Sequence, residues 1–211
     1  VTLARVVLAT RNRHKVLELR EILADVLRAA GVDVDLEAAI ACVEDFPGIE
    51  DVVESGVTFA ANALLKARAV SLATGLPALA DDSGLAVDVL GGSPGVFSAR
   101  WAGAHGDDDA NLRLLLDQLA DVPDEHRGAG FVCAAALVRP DGTEHVELGE
   151  LRGTLERAPR GGGGFGYDPI LRVDDRRTLA ELSPVQKNAI SHRGQALRTL
   201  APRVVAVLTE A

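Results

Sequence analysis

Apolar residues along this chain switch repeatedly between two spacings. The run LARVVLA (3–9) is continuous and rich in valine, which predicts a buried strand. In the following NRHKVLELREILADVLRAAG, Val16, Leu19, Ile22, Leu23, Val26 and Leu27 recur at helical spacing, with Gly31 as a stop. VDVDLE (32–37) predicts a second strand, and the acidic, turn-rich residues 44–57 predict a loop. TFAANALLKARAVSLATG predicts a helix started by Thr58 and stopped by Gly75. PALADDSGLAVDVL predicts a strand, a tight acidic turn and a further strand, before the breaker GGSPG. DDDANLRLLLDQLADV predicts a helix with carboxylates at its N-terminus, where the dipole favours them. AGFVCAAALVRPDGTEHVELGEL predicts a hairpin around Pro140-Asp141-Gly142. Ser183-Pro184-Val185-Gln186 supplies an N-cap, a first-position proline and a capping-box partner for a last helical stretch, broken near Gly194 and ending at about Leu208. Strands alternating with helices predict an α/β protein. With no internal repeat and no separating linker, residues 1–211 are expected to form a single domain.

Composition narrows the function classes. Apolar residues make up 47% and charged residues 25%, a globular and not a disordered balance. The net charge of -9 argues against a sequence-independent binder of DNA or RNA, so an anionic ligand must be met by locally placed Lys and Arg. Cys42 and Cys133 form no CxxC pair, which favours free thiols in a reducing cytosol over a zinc site. The apolar runs fall short of the roughly 18 residues of a membrane span, and the start lacks a signal-peptide pattern. A soluble, cytoplasmic protein is the expectation.

Candidate chemistry concentrates in a few stretches. GGGGFGYDPI (161–170) places Phe165 and the only tyrosine, Tyr167, after four glycines in a chain with one Trp and five Phe. Gly161, Gly163 and Gly166 formally match G-x-G-x-x-G, but Tyr167-Asp168-Pro169 disfavours the helix that a dinucleotide fingerprint must open. A mobile or closely packed backbone delivering a ring and a carboxylate, Phe165 and Asp168, remains; a plain tight loop is the alternative. In ATRNRHK, Thr10, Asn12 and Lys15 sit at a strand-to-helix junction, where free backbone N–H groups make a phosphate seat. There the alternative is an Asn-capped helix with a solvated lysine. The adjacent Asp81 and Asp82 repel each other unless a cation holds both ionised, and hard oxygen ligands of this kind suit magnesium. An Asp/Ser/Gly turn is the plainer reading. Glu54 is the natural extra ligand, and Asn62 and Lys66 share one helix face. Lys187, His192 and Arg193 gather donors near a helix break, or are ordinary surface charges. Taken together, these features make a nucleoside triphosphate site.

The stretches LATRNRHK, ESGVTFAANALLKA, LADDSGLAVDVLGGSPGVFSARWAG, GGFGYDPI and ELSPVQKNAISHRG, in this order over nearly the full chain, resemble the inosine triphosphate pyrophosphatase family, house-cleaning enzymes for deaminated purine nucleotides. The resemblance implies magnesium-dependent hydrolysis of ITP, dITP or XTP to monophosphate and pyrophosphate. It also implies a homodimer and an elongated mixed sheet with flanking helices, two lobes around a central nucleotide-binding cleft. By matching motif, Thr10, Arg11, Asn12, Arg13, His14 and Lys15 hold the phosphate chain, and Glu54 and Asp82 hold magnesium. Asp82 acts as proton acceptor, aided by Lys15 and Lys66, with Ser83 a substrate contact. Phe165, Gly166, Tyr167, Asp168, Lys187, His192 and Arg193 bind the nucleotide. Arg193, donor-only, is expected to pair with the base oxygen O6, which adenine lacks. Relatives often carry Glu where Ala61 stands. Two other readings compete: a sensor that binds nucleotide without turnover, and a pyrophosphatase for modified pyrimidine nucleotides. The like charges of Asp81 and Asp82 favour catalysis over sensing.

Overall fold

The computed structural model describes residues 5–210, a mixed α/β protein. Strand β1 (Val6–Leu8) leads into helix α1 (Arg13–Ala29), the one-turn helix α2 (Leu36–Ala39), strand β2 (Ile40–Cys42) and helix α3 (Phe59–Thr74). Strand β3 (Ala78–Val87) precedes helix α4 (Asp108–Gln118) and the long strands β4 (Gly128–Val138) and β5 (Glu144–Leu155). Strand β6 (Leu171–Arg172) and helices α5 (Pro184–Ile190) and α6 (His192–Thr209) complete the chain. The strands hydrogen-bond in the order β2-β1-β3-β4-β5-β6, with β1 parallel to β2 and β3 and β5 antiparallel to β6.

The punctuation of the sequence sets most of these boundaries. The Asn12 side chain accepts from the backbone N–H groups of His14 and Lys15, and the Thr58 side chain from that of Ala61. Gly75 ends α3 at φ 68°, a left-handed position that favours glycine. Ser183 and Gln186 form the capping box of α5.

Three expectations need correction, and a fourth falls partly outside the described residues. The first strand is described only from Val6, positions 3 and 4 lying outside the described residues. VDVDLE is no strand: the Asp35 side chain accepts from the N–H groups of Glu37 and Ala38, starting α2, and the second strand begins at Ile40. A local cap here prevails over the alternation of valine and aspartate. No turn interrupts β3 at Asp81–Gly84. Gly84 instead permits a close approach, since a Cβ there would lie 2.4 Å from the Ser98 hydroxyl. The last helical stretch breaks at Ser191, whose ψ of 148° is extended, while Gly194 lies inside α6.

The chain divides into two compact units. One comprises the residues up to Asp82, Ala134–Leu148 and the residues from Arg193 on; the other comprises Ser83–Cys133 and Gly149–His192. In the first, Ala63, Ala67 and Val70 of α3 pack with Val7, Ala78, Ala80, Ala134 and Ala136. Alanines on both surfaces let helix and strands approach closely, which brings the polar residues flanking that contact within reach of β3. In the second, Leu85, Val87, Leu115, Leu119, Phe131, Tyr167 and Ile170 form the core. The buried Arg127 guanidinium donates to the carbonyls of Leu119, Leu155 and Glu156, tying the end of α4 to that of β5. Among the described residues no helix is long and apolar enough to cross a membrane.

Candidate active site

Because Asp81 and Asp82 sit in an uninterrupted strand, their side chains project to opposite faces. Each therefore meets its own partners. Asp81 Oδ2 lies 3.2 Å from Lys15 Nζ and accepts from Arg193 Nε at 3.1 Å. Arg193 also donates to Glu18, which stands one turn beyond Lys15 on α1. On the other face, Asp82 Oδ2 accepts from Asn62 Nδ2 at 3.0 Å, and Asp82 Oδ1 lies 3.7 Å from Lys66 Nζ. Lys66 Nζ in turn donates to Glu54 Oε1 at 2.7 Å. One ammonium thus stands beside both Glu54 and Asp82.

The two faces drive the neighbouring carboxyls in opposite directions. Burial alone would raise Asp81, but the positive charges of Lys15, Arg193 and Lys66 outweigh it and hold Asp81 far below the usual carboxylate range. For Asp82 burial prevails, with repulsion from Glu54 added, and Lys66, Lys15 and the Asn62 hydrogen bond offset it only in part; its pKa is raised. Burial tends to strip Lys66 of its proton, yet Asp82, Asp81 and Glu54 keep it charged. Adjacent acids whose environments push their pKa values apart are the usual mark of divided acid–base roles.

Of the residues preceding Lys15, Arg13 and His14 are exposed on the first turn of α1, and Thr10 Oγ1 accepts from the Asn12 N–H. Arg11 donates to Asp51 and to the Ile49 carbonyl, fastening the junction to the acidic loop. Lys15 is not the solvated lysine of the plainer alternative, since its side chain is 15% exposed and paired.

In the second unit, the glycine run makes close contacts at Gly161 and Gly164, while Gly162 has open space. A Cβ on Gly164 would sit 2.0 Å from Asp168 Oδ2, and Gly161 abuts the Ala180 backbone. Asp168 is buried and accepts from the Phe165 N–H at 2.8 Å and from Lys187 Nζ at 2.9 Å. That ammonium lies 5.0 Å from the centre of the Phe165 ring, a cation–π distance. His192 stacks on Phe131 at 4.9 Å. Gly166 donates its N–H to Asp108, and Ser83 is half-buried.

Two of the expected ligand contacts have side-chain partners within the protein. Tyr167 belongs to the core, where its hydroxyl donates to the Ser98 carbonyl and burial pushes the phenol up, so it offers a ligand only backbone. Arg193 is 2% exposed and engaged by two carboxylates, Asp81 and Glu18. Asn62 and Glu18 are the participants that the sequence reading did not assign. Asn62 shares a helix face with Lys66, and Glu18 follows Lys15 at helical spacing; those spacings were the available signals.

Gly164→Ala is expected to cost at least about 1–2 kcal/mol of stability, the penalty of a left-handed side chain, because φ is +73° there and Asp168 must also move. Gly162→Ala, with open space around it, is expected to change stability by less than about 0.5 kcal/mol. Urea unfolding of both variants tests the contrast.

Among the described residues no group of three or more His, Cys, Asp or Glu side chains is placed to hold a metal ion; the carboxylates in contact with Lys66 Nζ are those of Glu54 and Asp82. Two oxygen ligands fit a cation that completes its shell with waters and substrate phosphates, as magnesium does.

The sequence model of the Ham1 family matches residues 6–203. A Streptomyces coelicolor protein named dITP/XTP pyrophosphatase is 64% identical over 96% of this chain and 98% of its own. The structure of a HAM1 protein from Coxiella burnetii superposes with a TM-score of 0.83 at 40% identity, covering 97% of this chain and all of that one. A crystal structure titled nucleoside-triphosphatase / dITP/XTP pyrophosphatase, from Mycobacterium abscessus, gives 0.75 at 50% identity over 94% of this chain and 98% of that one. With both sequence and fold matched over nearly their whole length, the chain belongs to the Ham1 family.

Proposed function

We propose that this protein hydrolyses deaminated purine nucleoside triphosphates, dITP, ITP and XTP, to the monophosphate and pyrophosphate, keeping them out of DNA and RNA. The observation that carries the reading is the arrangement of the acidic pair: Asp81 is paired with Lys15 and Arg193, and Asp82 stands beside Lys66, whose ammonium also meets Glu54. The name shared by relatives such as the Streptomyces coelicolor protein supports the choice of substrate.

Glu54 and Asp82 hold magnesium, which when bound offsets charge on the phosphate chain and polarises the α–β anhydride. Thr10, Asn12 and the exposed first turn of α1, with Arg11, Arg13, His14 and Lys15, receive the phosphates; Lys15 and Lys66 supply fixed positive charge that water would otherwise have to reorganise to provide. Asp82 orients the attacking water and accepts its proton. The water oxygen joins one phosphorus, and the bridging oxygen leaves with the other. No covalent intermediate is required. Phe165 carries the base, with Lys187, His192 and the backbone of Gly166 and Tyr167 contacting the nucleotide and Asp168 fixing both Phe165 and Lys187. Ser83 is a further substrate contact, and Arg193 acts through Asp81. The active form is a cytoplasmic homodimer, tested by light scattering of the purified protein.

Phe165→Ala is expected to raise KM for dITP by about 5- to 150-fold, since stacking contributes about 1–3 kcal/mol per base. Inhibition by inorganic tripolyphosphate, which has no base, should be unaltered. The reading as a whole is tested by kcat/KM for dITP, XTP, dATP, dGTP, dCTP and dUTP with magnesium. Preference for dITP and XTP supports it; preference for a pyrimidine nucleotide, or binding without turnover, overturns it.

A further inference from the structure

Asn62 is fully buried near the start of α3, and both ends of its amide are engaged. Its carbonyl oxygen accepts from the Gly56 N–H at 2.8 Å, and its amide nitrogen donates to Asp82 Oδ2 at 3.0 Å. The flipped amide would face donor to donor and acceptor to acceptor, so this network fixes its orientation. Gly56 lies two residues after Glu54, and a Cβ there would sit 2.6 Å from Asn62 Oδ1. Only glycine therefore lets the loop that carries Glu54 close onto the amide. One turn further along α3, Lys66 meets Glu54 and Asp82 together. Ala63 and Ala67, next in sequence to Asn62 and Lys66, belong to the alanine-rich core that α3 shares with the strands.

We infer that Asn62 is a positioning residue: it joins the loop bearing Glu54 to the strand bearing Asp82 and sets the spacing at which their carboxylates serve one divalent cation. This rests on the reading of Glu54 and Asp82 as the metal ligands. Asn62 needs no contact with substrate to do so. Partners that orient a ligating group typically weigh about 10–100-fold in metal affinity.

The test compares wild type, Asn62→Ala, Gly56→Ala and the double variant. Manganese affinity is read without nucleotide by electron paramagnetic resonance of the free ion, beside kcat and KM for dITP at saturating magnesium and the melting temperature. Each single variant is expected to weaken manganese binding by about 10–100-fold with little change in KM for dITP. The double variant should bind no more weakly than the worse single one, because both substitutions break the same fastening. Wild-type manganese affinity in Asn62→Ala, or losses that add in the double variant, would overturn the inference. Should Asn62→Ala fail to fold, Gly56→Ala carries the test, since it leaves Asn62 and both carboxylates in the chain. A wild-type protein that turns over dITP without binding manganese would instead sink the assignment of Glu54 and Asp82 as ligands.

Discussion

Asp82→Asn is expected to reduce turnover of dITP by at least about 10²-fold, the scale of lost general-base help, while leaving the metal-free protein at least as stable as wild type. The two effects share one cause. A carboxyl whose pKa is raised on folding is less stable as an anion in the folded chain than in the unfolded one. At neutral pH the Asp82 anion therefore opposes folding, and this cost is relieved as the pH falls through its raised pKa. The amide is close to isosteric, still accepts from Asn62 and carries no charge near Glu54. Melting in the presence of a chelator and kcat at saturating magnesium check both halves. A variant with near-normal turnover, or one that loses both activity and stability, would mean that Asp82 is structural.

Arg193→Ala is expected to act in the opposite sense, lowering the free energy of unfolding by about 3–5 kcal/mol, the usual consequence of removing one partner from a buried ion pair. Its guanidinium stands between Asp81, whose side chain is fully buried, and Glu18. Asp81 has its pKa depressed on folding, so the stability that its pairing contributes is present above the ordinary aspartate value of 3.8 and fades as the pH falls below it. The Arg193→Ala deficit should be full at neutral pH and shrink below about pH 4. Urea unfolding at pH 7 and pH 3 reads this directly. If stability is unchanged and the preference for ITP over ATP narrows instead, Arg193 reads the base oxygen O6 and does not serve Asp81.

The contrast between these neighbouring acids shows where sequence ceases to be sufficient. Caps are local, and so Asn12, Thr58, Gly75 and the Ser183–Gln186 box are legible from a few residues each. Asp81-Asp82-Ser83-Gly84 has the composition of a turn, yet it extends as strand because cations from α1 and α6 satisfy one face and α3 satisfies the other. Those partners are remote in sequence, and no local propensity announces them. Glu18 on α1 is in sequence one charge among several, and only the return of Arg193 from the far end of the chain distinguishes it. Phe165 and Tyr167 invite the same role by composition, but the core claims Tyr167 because its ring packs with Leu85 and Ile170 while the Phe165 ring keeps its place beside Lys187. The glycine run shows the same limit. In sequence four glycines leave a mobile and a closely packed backbone equally open, whereas the structure shows that beside Gly161 and Gly164 the Ala180 backbone and Asp168 leave no room for a Cβ.

The most direct measurement is phosphorus NMR of dITP incubated with the protein and magnesium, repeated with Asp82→Asn. The wild-type protein should yield dIMP and pyrophosphate in equal amounts with no orthophosphate, and the variant should leave the triphosphate essentially intact over the same time. Orthophosphate with dIDP as the first products, or unimpaired cleavage by Asp82→Asn, would contradict hydrolysis of the α–β anhydride at this centre.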